Sequence, residues 1–392
     1  MKLPQWPYYD KKQIQLAAET LQSGKVNYWT GEQGKIFEAE FAKYSDTKYG
    51  IAMANGSLAL FSAFKAIGLK SGDEIITTPR TFIATASMAV LLEAKPIFAD
   101  VDIDSGMITA DTIESLITPR TKAIVVVHIG GWPAEMEKIC DLAKNYKLLV
   151  IEDCSQAHGA QIKFNDKFKS VGSFGDLSAW SFCQDKIITT GGEGGMVTTQ
   201  KEIYWKFIRS FKDHGKDIDE IYSENKKLGF RYIHNTFGFN FRLTEFQSAI
   251  GRYQLKLLDE WIALRERNSL YIAKELSNLD IIRIPLPTSK FRPAWYRLYG
   301  YLNKKVLSNG WTRERILAEI NEAGYPGLSG SCSEIYLEKC FKDAGLSIKS
   351  PLQNARELGE TSLMFLVHPN ITLEEVKLYA NTIKSILKRA TR

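Results

Sequence analysis

Short apolar runs alternate with helical patterns between residues 49 and 153, and this alternation constrains the fold more than any other feature of the sequence. The apolar runs read YGIAMA, EIITT, KPIFADV, KAIVVVHI and KLLVIED, and stretches such as LALFSAFKAIGL and PAEMEKICDLAKNY separate them. Strands that alternate with helices form crossover units, which place parallel strands in one sheet with helices on both faces. The near-continuous IVVV and LLVI runs are typical of strands buried on both sides. The sequence therefore predicts an α/β fold with a mostly parallel sheet between helices.

The chain is long enough for more than one hydrophobic core. Its 392 residues exceed the roughly 250–300 residues at which a single core usually stops growing. The pattern changes near residue 243, where LTEFQSAIGRYQLKLLDEWIALRERNSLYIAKEL indicates one long helical region. We therefore predict a large domain at 1–250, which opens with a helix capped by Asp10 and ended by Gly24. Residues 251–392 are predicted to hold a long connecting helix and a small C-terminal α+β domain.

Charge and cysteine usage exclude several classes of protein. The net charge of +6 is spread along the chain, and no basic arm or RNA-binding signature indicates a nucleic-acid partner. The five cysteines are scattered, with neither a CxxC pair nor zinc-ligand spacing, which is typical of a reducing compartment. Neither a signal-peptide run nor a stretch of about 20 apolar residues is present. We expect a cytoplasmic protein that does not contact a membrane.

Suggestive residues follow the predicted strands, where ligands bind in open parallel sheets. A Gly56-Ser57 turn opens a helix, so it is either a phosphate cradle or only a helix cap. Asp153 ends a buried strand and can be a cap, a metal ligand or the partner of a protonated ring nitrogen. A metal site is not expected, because no second Asp/His pair lies nearby at ligand spacing. Phe82 follows the EIITTPRT run and is either a core residue or a stacking platform.

Lys186 stands between two strand-like runs in SAWSFCQDKIITTGGEGGMVTT and is followed by four glycines. It is either a surface lysine at the lip of a hairpin or an enclosed lysine that forms a Schiff base with a carbonyl cofactor. A phosphate cradle, a carboxylate at a strand end and an enclosed lysine together meet the requirements of pyridoxal 5′-phosphate (PLP). Their combination therefore favours a PLP site.

Several motifs in order resemble the DegT/DnrJ/StrS family of PLP-dependent nucleotide-sugar aminotransferases. The matching stretches are NGSLAL (55–60), TFIATA (81–86), VIEDCSQAHGA (150–160), the Ser181-Phe182-x-x-x-Lys186 run with its GEGGM sequel, RSFKDHG (209–215), GFNFRLTEFQSAIGRYQL (238–255) and WYRLYGY (295–301). The resemblance covers nearly the whole chain. It implies fold type I, which is the architecture of aspartate aminotransferase. One departure is the loop KIITTGGEGG, which has one glycine more than the usual K-x-x-x-x-G-E-G-G and is interpreted as a loop variant.

The resemblance also implies a set of cofactor-binding residues. Lys186 would be the Schiff-base lysine and would move the proton during transfer, Asp153 would pair with the pyridine nitrogen, and Gln156 would bond the ring hydroxyl. Phe82 would stack on the ring. The remaining implied contacts, all to the phosphate, are Gly56, the Ser57 hydroxyl, the Leu58 N–H, Ser181 and, from the other subunit of a homodimer, Asn240.

The substrate-facing residues are expected in three places. Tyr28, Trp29 and Thr30 in VNYWTGEQ would line the sugar pocket, and His214 would face substrate. Arg231, among the cations at 226–231, would meet the diphosphate of a nucleotide-linked substrate.

The implied reaction moves an amino group from glutamate to a keto-sugar carried on a nucleoside diphosphate, through the pyridoxamine phosphate form of the cofactor. A 4-keto-6-deoxy hexose is the expected acceptor. One alternative is a sugar dehydratase on the same fold, but in that branch histidine replaces the lysine that is present here as Lys186. A non-catalytic regulatory member should lack Lys186 or Asp153, and the chain has both. An aminotransferase for a cyclitol or an aromatic precursor stays open.

Overall fold

The structure is a computed structural model that describes residues 2–222 and 233–392. Its strands are β1 (Tyr49–Met53), β2 (Glu74–Thr77), β3 (Lys95–Phe98), β4 (Thr121–Val127), β5 (Leu149–Asp153), β6 (Gln161–Phe164), β7 (Lys167–Ser170), β8 (Leu177–Ser181), β9 (Gly195–Thr199), β10 (Ile282–Arg283), β11 (Phe291–Arg292), β12 (Leu298–Leu302) and β13 (Ser362–Phe365). Its α-helices are α1 (Lys11–Gln22), α2 (Gln33–Tyr44), α3 (Gly56–Ala66), α4 (Ala84–Val90), α5 (Ala110–Glu114), α6 (Met136–Asn145), α7 (Glu202–Phe211), α8 (Ile218–Tyr222), α9 (Glu245–Leu276), α10 (Arg313–Glu322), α11 (Lys339–Asp343), α12 (Gln353–Thr361) and α13 (Leu373–Ala390).

A seven-stranded sheet in the order β1-β9-β8-β5-β4-β2-β3 forms the centre of the large unit. Strand β9 is antiparallel to both of its neighbours, and the remaining strands share one direction. The predicted α/β fold with a mostly parallel sheet is therefore confirmed. The antiparallel strand β9 adds a feature that the alternation of strands and helices did not reveal.

Both faces of this sheet are buried, as the apolar runs predicted. Along β4, Ile124 and Val126 pack into one hydrophobic cluster, while Ala123 and Val125 pack into another on the opposite face. Because successive side chains of a strand point to opposite faces, a strand covered on both sides has to be apolar throughout.

The C-terminal part builds a second, smaller unit. Strands β10, β12 and β13 form a three-stranded antiparallel sheet. Helices α9 and α13 cover it with a hydrophobic cluster that includes Ile272, Leu276 and Ile383. The long predicted helix is α9, which also contributes Leu258 to the core of the large unit. The boundary predicted at residue 250 falls inside this continuous helix and stays a prediction.

The first helix has the predicted cap. The Asp10 side chain accepts a hydrogen bond from the Gln13 N–H at 2.8 Å, and α1 ends just before Gly24, whose φ is 68°. Among the helices within residues 2–222 and 233–392, none combines the length and the apolar character required to cross a bilayer.

Candidate active site

The loops that follow β1, β5 and β8 meet at one edge of the central sheet, because these strands run in the same direction. Helix α3 begins at Gly56, directly after β1. A Cβ atom built on Gly56 would lie 2.6 Å from the Ser181 Cβ, so the end of β8 packs directly against the start of α3. The positive end of a helix and a nearby hydroxyl suit a phosphate group. One predicted donor is engaged in this structure, since the Leu58 N–H bonds the Asn55 Oδ1 at 2.9 Å.

Asp153 ends β5 and is 5% exposed. Its Oδ2 accepts a hydrogen bond from the Thr85 hydroxyl at 2.8 Å, and its Oδ1 accepts one from the Ser155 N–H at 3.1 Å. No cationic side chain in the described ranges forms an ion pair with it. A buried carboxylate held by neutral donors is costly without a positive partner. The residue therefore fits a site that receives a protonated ring nitrogen.

A rigid hydrogen-bond network lies behind Asp153. The Glu152 carboxylate accepts bonds from His128 Nε2 at 3.0 Å and from the backbone N–H groups of Gly172, Phe174 and Gly175. Burial opposes its charge, but these donors hold the pKa of Glu152 below its usual value. The Ala134 N–H donates to His128 Nδ1, so the N–H that His128 donates to Glu152 is the one on Nε2. This network fixes the end of β5.

Lys186 lies on the loop between β8 and β9. Its side chain is 16% exposed, and its Nζ lies 3.8 Å from Asp185 Oδ1 and 5.2 Å from the centre of the Tyr296 ring. The indole N–H of Trp6 donates to the Lys186 backbone carbonyl at 2.8 Å, which fixes the loop from the N-terminal segment. Lys186 is thus an enclosed amine and not a solvent-facing surface lysine.

His158 is fully buried beside this lysine, against Trp180 and Phe182. Burial, together with the positive charges of Lys186 and Arg265, lowers the pKa of His158 to about 3. A histidine with this pKa is neutral at physiological pH and does not donate a proton there. Lys186 is left as the basic side chain that faces the strand ends.

Asp185, next to the lysine, binds groups from the small unit. The Tyr296 hydroxyl donates to its carboxylate, and Arg297 Nη2 lies 3.6 Å from it. Partial burial opposes the charge of Asp185, but the Lys186 ammonium, the Tyr296 hydroxyl and Arg297 hold its pKa below the usual value. The small unit therefore contacts the lysine loop directly.

The other predicted cofactor residues lie near this edge with their groups available. Gln156 is 8% exposed, and its Oε1 accepts the Gly130 N–H at 2.7 Å, so its NH₂ group is left to donate to a further partner. Phe82 is 68% exposed and is not a core residue. Asn240 is also exposed. These positions suit a stacking platform and a residue that faces a second subunit.

The predicted substrate residues differ in accessibility. Tyr28 is 2% exposed, and its hydroxyl donates to Glu38 Oε2 at 2.8 Å while accepting from Arg209 Nη1 at 2.7 Å. Its environment is the protein interior, which the aromatic loop sequence did not indicate. Trp29 is half-buried, with the Lys216 ammonium 4.7 Å from its ring centre.

Thr30 and His214 are exposed, and His214 has a left-handed backbone with φ of 62°. Arg231 and the cations at 226–231 lie outside the described residues. Of the predicted substrate residues that the structure describes, Trp29, Thr30 and His214 are accessible and Tyr28 is not.

Sequence reasoning missed three groups around the site: the buried side chains of Arg265 and Arg80 and the half-buried side chain of Trp6. Burial, together with the charge of Arg297, lowers the pKa of Arg265 to about 9. Trp6 and Arg265 are remote from Lys186 in sequence, and no local pattern connects them. The sequence did contain a signal for Arg80, since TTPRTF places an arginine just after a predicted buried strand, and arginine is rarely buried.

Comparison with known proteins adds independent findings. A family model described as the DegT/DnrJ/EryC1/StrS aminotransferase family matches residues 7–384. The solved structure of an aminotransferase from Psychrobacter cryohalolentis is 44% identical, with a TM-score of 0.96 and 99% of each chain covered. The spore coat polysaccharide biosynthesis protein SpsC of Bacillus subtilis is 31% identical over 98% of this chain and 96% of its own. The UDP-N-acetyl-3-dehydro-α-D-glucosamine 3-aminotransferase of Acidithiobacillus ferrooxidans is 37% identical over 71% of each chain.

Proposed function

Because this chain belongs to the DegT/DnrJ/EryC1/StrS aminotransferase family of PLP-dependent enzymes, we propose that it moves an amino group from glutamate to a keto-sugar carried on a nucleoside diphosphate. The observation that carries the proposal is the meeting of three groups at one edge of the sheet. They are the enclosed amine of Lys186, the buried carboxylate of Asp153 and the packed Gly56–Ser181 turn. Each complements a different part of PLP.

When bound, PLP supplies a pyridine ring that accepts electrons from the carbon next to the transferred nitrogen. Asp153 would hold a proton on the ring nitrogen by its negative charge, with its carboxylate oriented by Thr85 and Ser155. Gly56, Ser57 and Ser181 would hold the phosphate. The Lys186 amine would hold the cofactor through its carbonyl carbon and, when free, would move a proton between the substrate carbon that bears the nitrogen and the cofactor carbon on the other side of that nitrogen.

The names of two relatives support a nucleotide-linked sugar as the acceptor. The aminotransferase from Acidithiobacillus ferrooxidans and the GDP-perosamine synthase of Escherichia coli are both named for nucleotide-linked sugars. A 4-keto-6-deoxy hexose remains the proposed acceptor, with Trp29, Thr30 and His214 beside the sugar and Arg231 beside the diphosphate. The amino-sugar product would enter polysaccharide synthesis. All five cysteines are free thiols, which supports a cytoplasmic location.

The proposed enzyme is a homodimer in which Asn240 completes the phosphate site of the partner. Exposed aromatic side chains next to Asn240 support this arrangement, since Phe237 is 100% and Phe239 is 54% exposed. Mixing the Lys186→Ala and Asn240→Ala variants tests it, because the hybrid then contains one site with both residues intact. Restored activity on mixing supports a site shared between subunits. Activity that stays at the level of the separate variants refutes it.

Visible absorbance tests the donor half of the reaction. Wild-type protein with PLP should show the band of the covalently held cofactor, and glutamate should convert it to the amine form. Lys186→Ala should bind PLP without that band. Keto-sugar nucleotides are then screened by return of the band, and mass spectrometry of the product separates an amino sugar from the deoxygenated product of a dehydratase. A wild-type protein without the band refutes the proposal.

A further inference from the structure

Arg80 is a buried cation without a counter-ion. It follows β2 and is 1% exposed, and its Nε and Nη2 have no hydrogen-bond partner. No carboxylate within the described ranges lies within 4.0 Å of its guanidinium. Placing an unpaired charge in a protein interior costs several kcal/mol, so a group of opposite charge is expected beside it.

The neighbours of Arg80 stabilise its charge only partly. The centre of the Tyr299 ring lies 4.7 Å from its Cζ and that of Tyr301 lies 5.6 Å away, so aromatic faces cover the planar group. Ring faces do not accept the N–H groups that lie in the guanidinium plane. The carboxylate of Asp104 lines the same space, but its side chain is 71% exposed and is engaged by Arg283. The Tyr301 hydroxyl interacts with one guanidinium N–H of Arg80, whereas Nε and Nη2 have no acceptor in the described protein and are left for a ligand.

A cavity of about 30 Å³ adjoins Arg80. Its other lining residues include Gly130, Trp132, Trp295, Arg297 and Tyr299. A water molecule needs roughly 10–15 Å³, so this space holds a carboxylate group and excludes a nucleotide sugar. Two arginines in one small cavity with aromatic walls select a negative charge.

Arg297, which lines the cavity, connects it to the lysine loop through Asp185. Arg297 Nη2 is 3.6 Å from Asp185 Oδ2, and Asp185 Oδ1 is 3.8 Å from Lys186 Nζ. The Gly130 N–H, on another wall, bonds Gln156 of the cofactor site. A donor whose amino group reacts at Lys186 therefore extends toward this cavity.

We propose that Arg80 binds the side-chain carboxylate of the amino donor and thereby selects a dicarboxylic amino acid. The inference rests on the proposed function, since it assumes that an amino acid is the donor. The α-carboxylate is attached to the reacting carbon and stays beside Lys186, whereas the side-chain carboxylate reaches farther. Of the two arginines that line the cavity, Arg297 is paired with Asp185, whereas Arg80 has no ion-pair partner, and a guanidinium matches a carboxylate through two parallel hydrogen bonds.

The first test compares two donors in the half-reaction that converts the cofactor to its amine form. Replacing a charged hydrogen-bond donor in a buried site costs about 10- to 100-fold in binding. Arg80→Gln should raise the KM for glutamate by that factor and leave the KM for alanine, which lacks the side-chain carboxylate, within about twofold. Arg80→Lys, which keeps the charge, should recover part of the loss. Arg315→Gln is the matched control, because it removes an exposed cation of the small unit that neither lines the cavity nor pairs with a residue that does.

The second test measures binding without turnover. Glutarate, a dicarboxylate without an amine, is titrated calorimetrically into the PLP-loaded wild type, and sodium chloride is titrated in parallel. Glutarate binding that Arg80→Gln abolishes supports the inference. Chloride that binds at Arg80 and is not displaced by glutarate overturns it, as does a loss that affects glutamate and alanine equally.

The two proposals fail differently. A wild type that takes no amino group from glutamate refutes the proposed function. A wild type that uses glutamate, with Arg80→Gln equally active, refutes only the role of Arg80.

Discussion

Replacement of Lys212 by methionine tests how the start of the phosphate turn is held. Lys212 is 1% exposed, and its ammonium donates to Glu38 Oε1 at 2.7 Å and to the Ala52 carbonyl at 3.0 Å. Glu38 also accepts the Ala52 N–H at 2.9 Å. Ala52 belongs to β1, which leads into Gly56, so this pair joins α2 and the segment after α7 to the strand that carries the cofactor turn.

The expected loss of stability follows from the burial of both charges. Removing one partner of a buried pair costs about 3–5 kcal/mol, because the other charge stays buried without compensation. Arg209 Nη1 lies 3.3 Å from Glu38 Oε2 and still compensates part of the carboxylate in Lys212→Met. We therefore expect a loss near the lower limit, about 3 kcal/mol, which corresponds to a roughly 100-fold shift in the folding equilibrium.

Urea unfolding followed by circular dichroism measures this loss. Lys206→Met on α7 is the matched control, since the Lys206 side chain is 43% exposed and its pairs with Glu202 and Asp219 lie on the surface. Exposed pairs contribute about 0–1 kcal/mol. If the free energies of unfolding of Lys212→Met and Lys206→Met differ by less than about 1 kcal/mol, the argument from burial is wrong.

The same pair makes the difference between Lys212→Met and wild type depend on pH. Burial opposes the charge on Glu38, but Lys212 and Arg209 hold its pKa below the ordinary value of 4.5. The stabilisation from this carboxylate is therefore complete above pH 4.5 and is lost as the pH falls through the lowered folded pKa. Without Lys212, protonation of Glu38 relieves a buried charge. The difference in free energy of unfolding between wild type and Lys212→Met should thus be largest near neutral pH and should decrease in acid.

Three further predictions concern the cofactor site. Gly56→Ala places a Cβ 2.6 Å from the Ser181 Cβ and should weaken PLP binding by about tenfold or more in absorbance titrations. The double variant Gly56→Ala/Ser181→Gly should recover part of the affinity. An unchanged affinity of Gly56→Ala for PLP would contradict the packing described. Asp153→Asn removes the negative charge from the ring-nitrogen site and should slow the glutamate half-reaction by about 100-fold or more, and a smaller effect would assign Asp153 a structural role only. His158, with its pKa of about 3, is neutral above pH 5, so His158→Phe should leave the pH dependence of kcat/KM between pH 6 and 9 unchanged. A shift of the acidic side of this pH profile in His158→Phe would show that the histidine titrates in that range.

Local patterns predicted the parts of the fold that depend on neighbouring residues. Strand and helix alternation predicted the parallel sheet, and the helical pattern at 243–276 predicted α9. Since parallel strands end at one edge, the alternation predicted Asp153 and Gly56 at the same edge, whereas only the family resemblance added Ser181 to them. The antiparallel direction of β9 could not be predicted in this way, because the direction of a strand depends on its pairing across the sheet and not on composition.

Contacts between distant parts of the chain could not be predicted from one sequence. Glu38 and Lys212 are separated by 174 residues, and their pairing also removes Tyr28 from the surface where the sequence placed it. Arg80 similarly meets Tyr299 only when the small unit folds over the sheet. Such contacts arise from packing between units, for which a single chain carries no local signature.

The direction of β9 determines how much freedom the lysine loop has. Ser181 and Gly195 face each other in the ladder between β8 and β9, so the loop that carries Lys186 leaves and re-enters the sheet at adjacent positions. The Thr189 N–H donates to Gln254 Oε1 of α9 at 2.8 Å. This contact fixes the loop at a point between Lys186 and the glycines that follow it. Gly192 has φ of 121°, and a Cβ built on it meets no atom within 4 Å. Gly192 therefore borders open space, and we expect the length of the glycine segment to vary without displacing the reactive amine, because the contact of Thr189 with α9 lies between them.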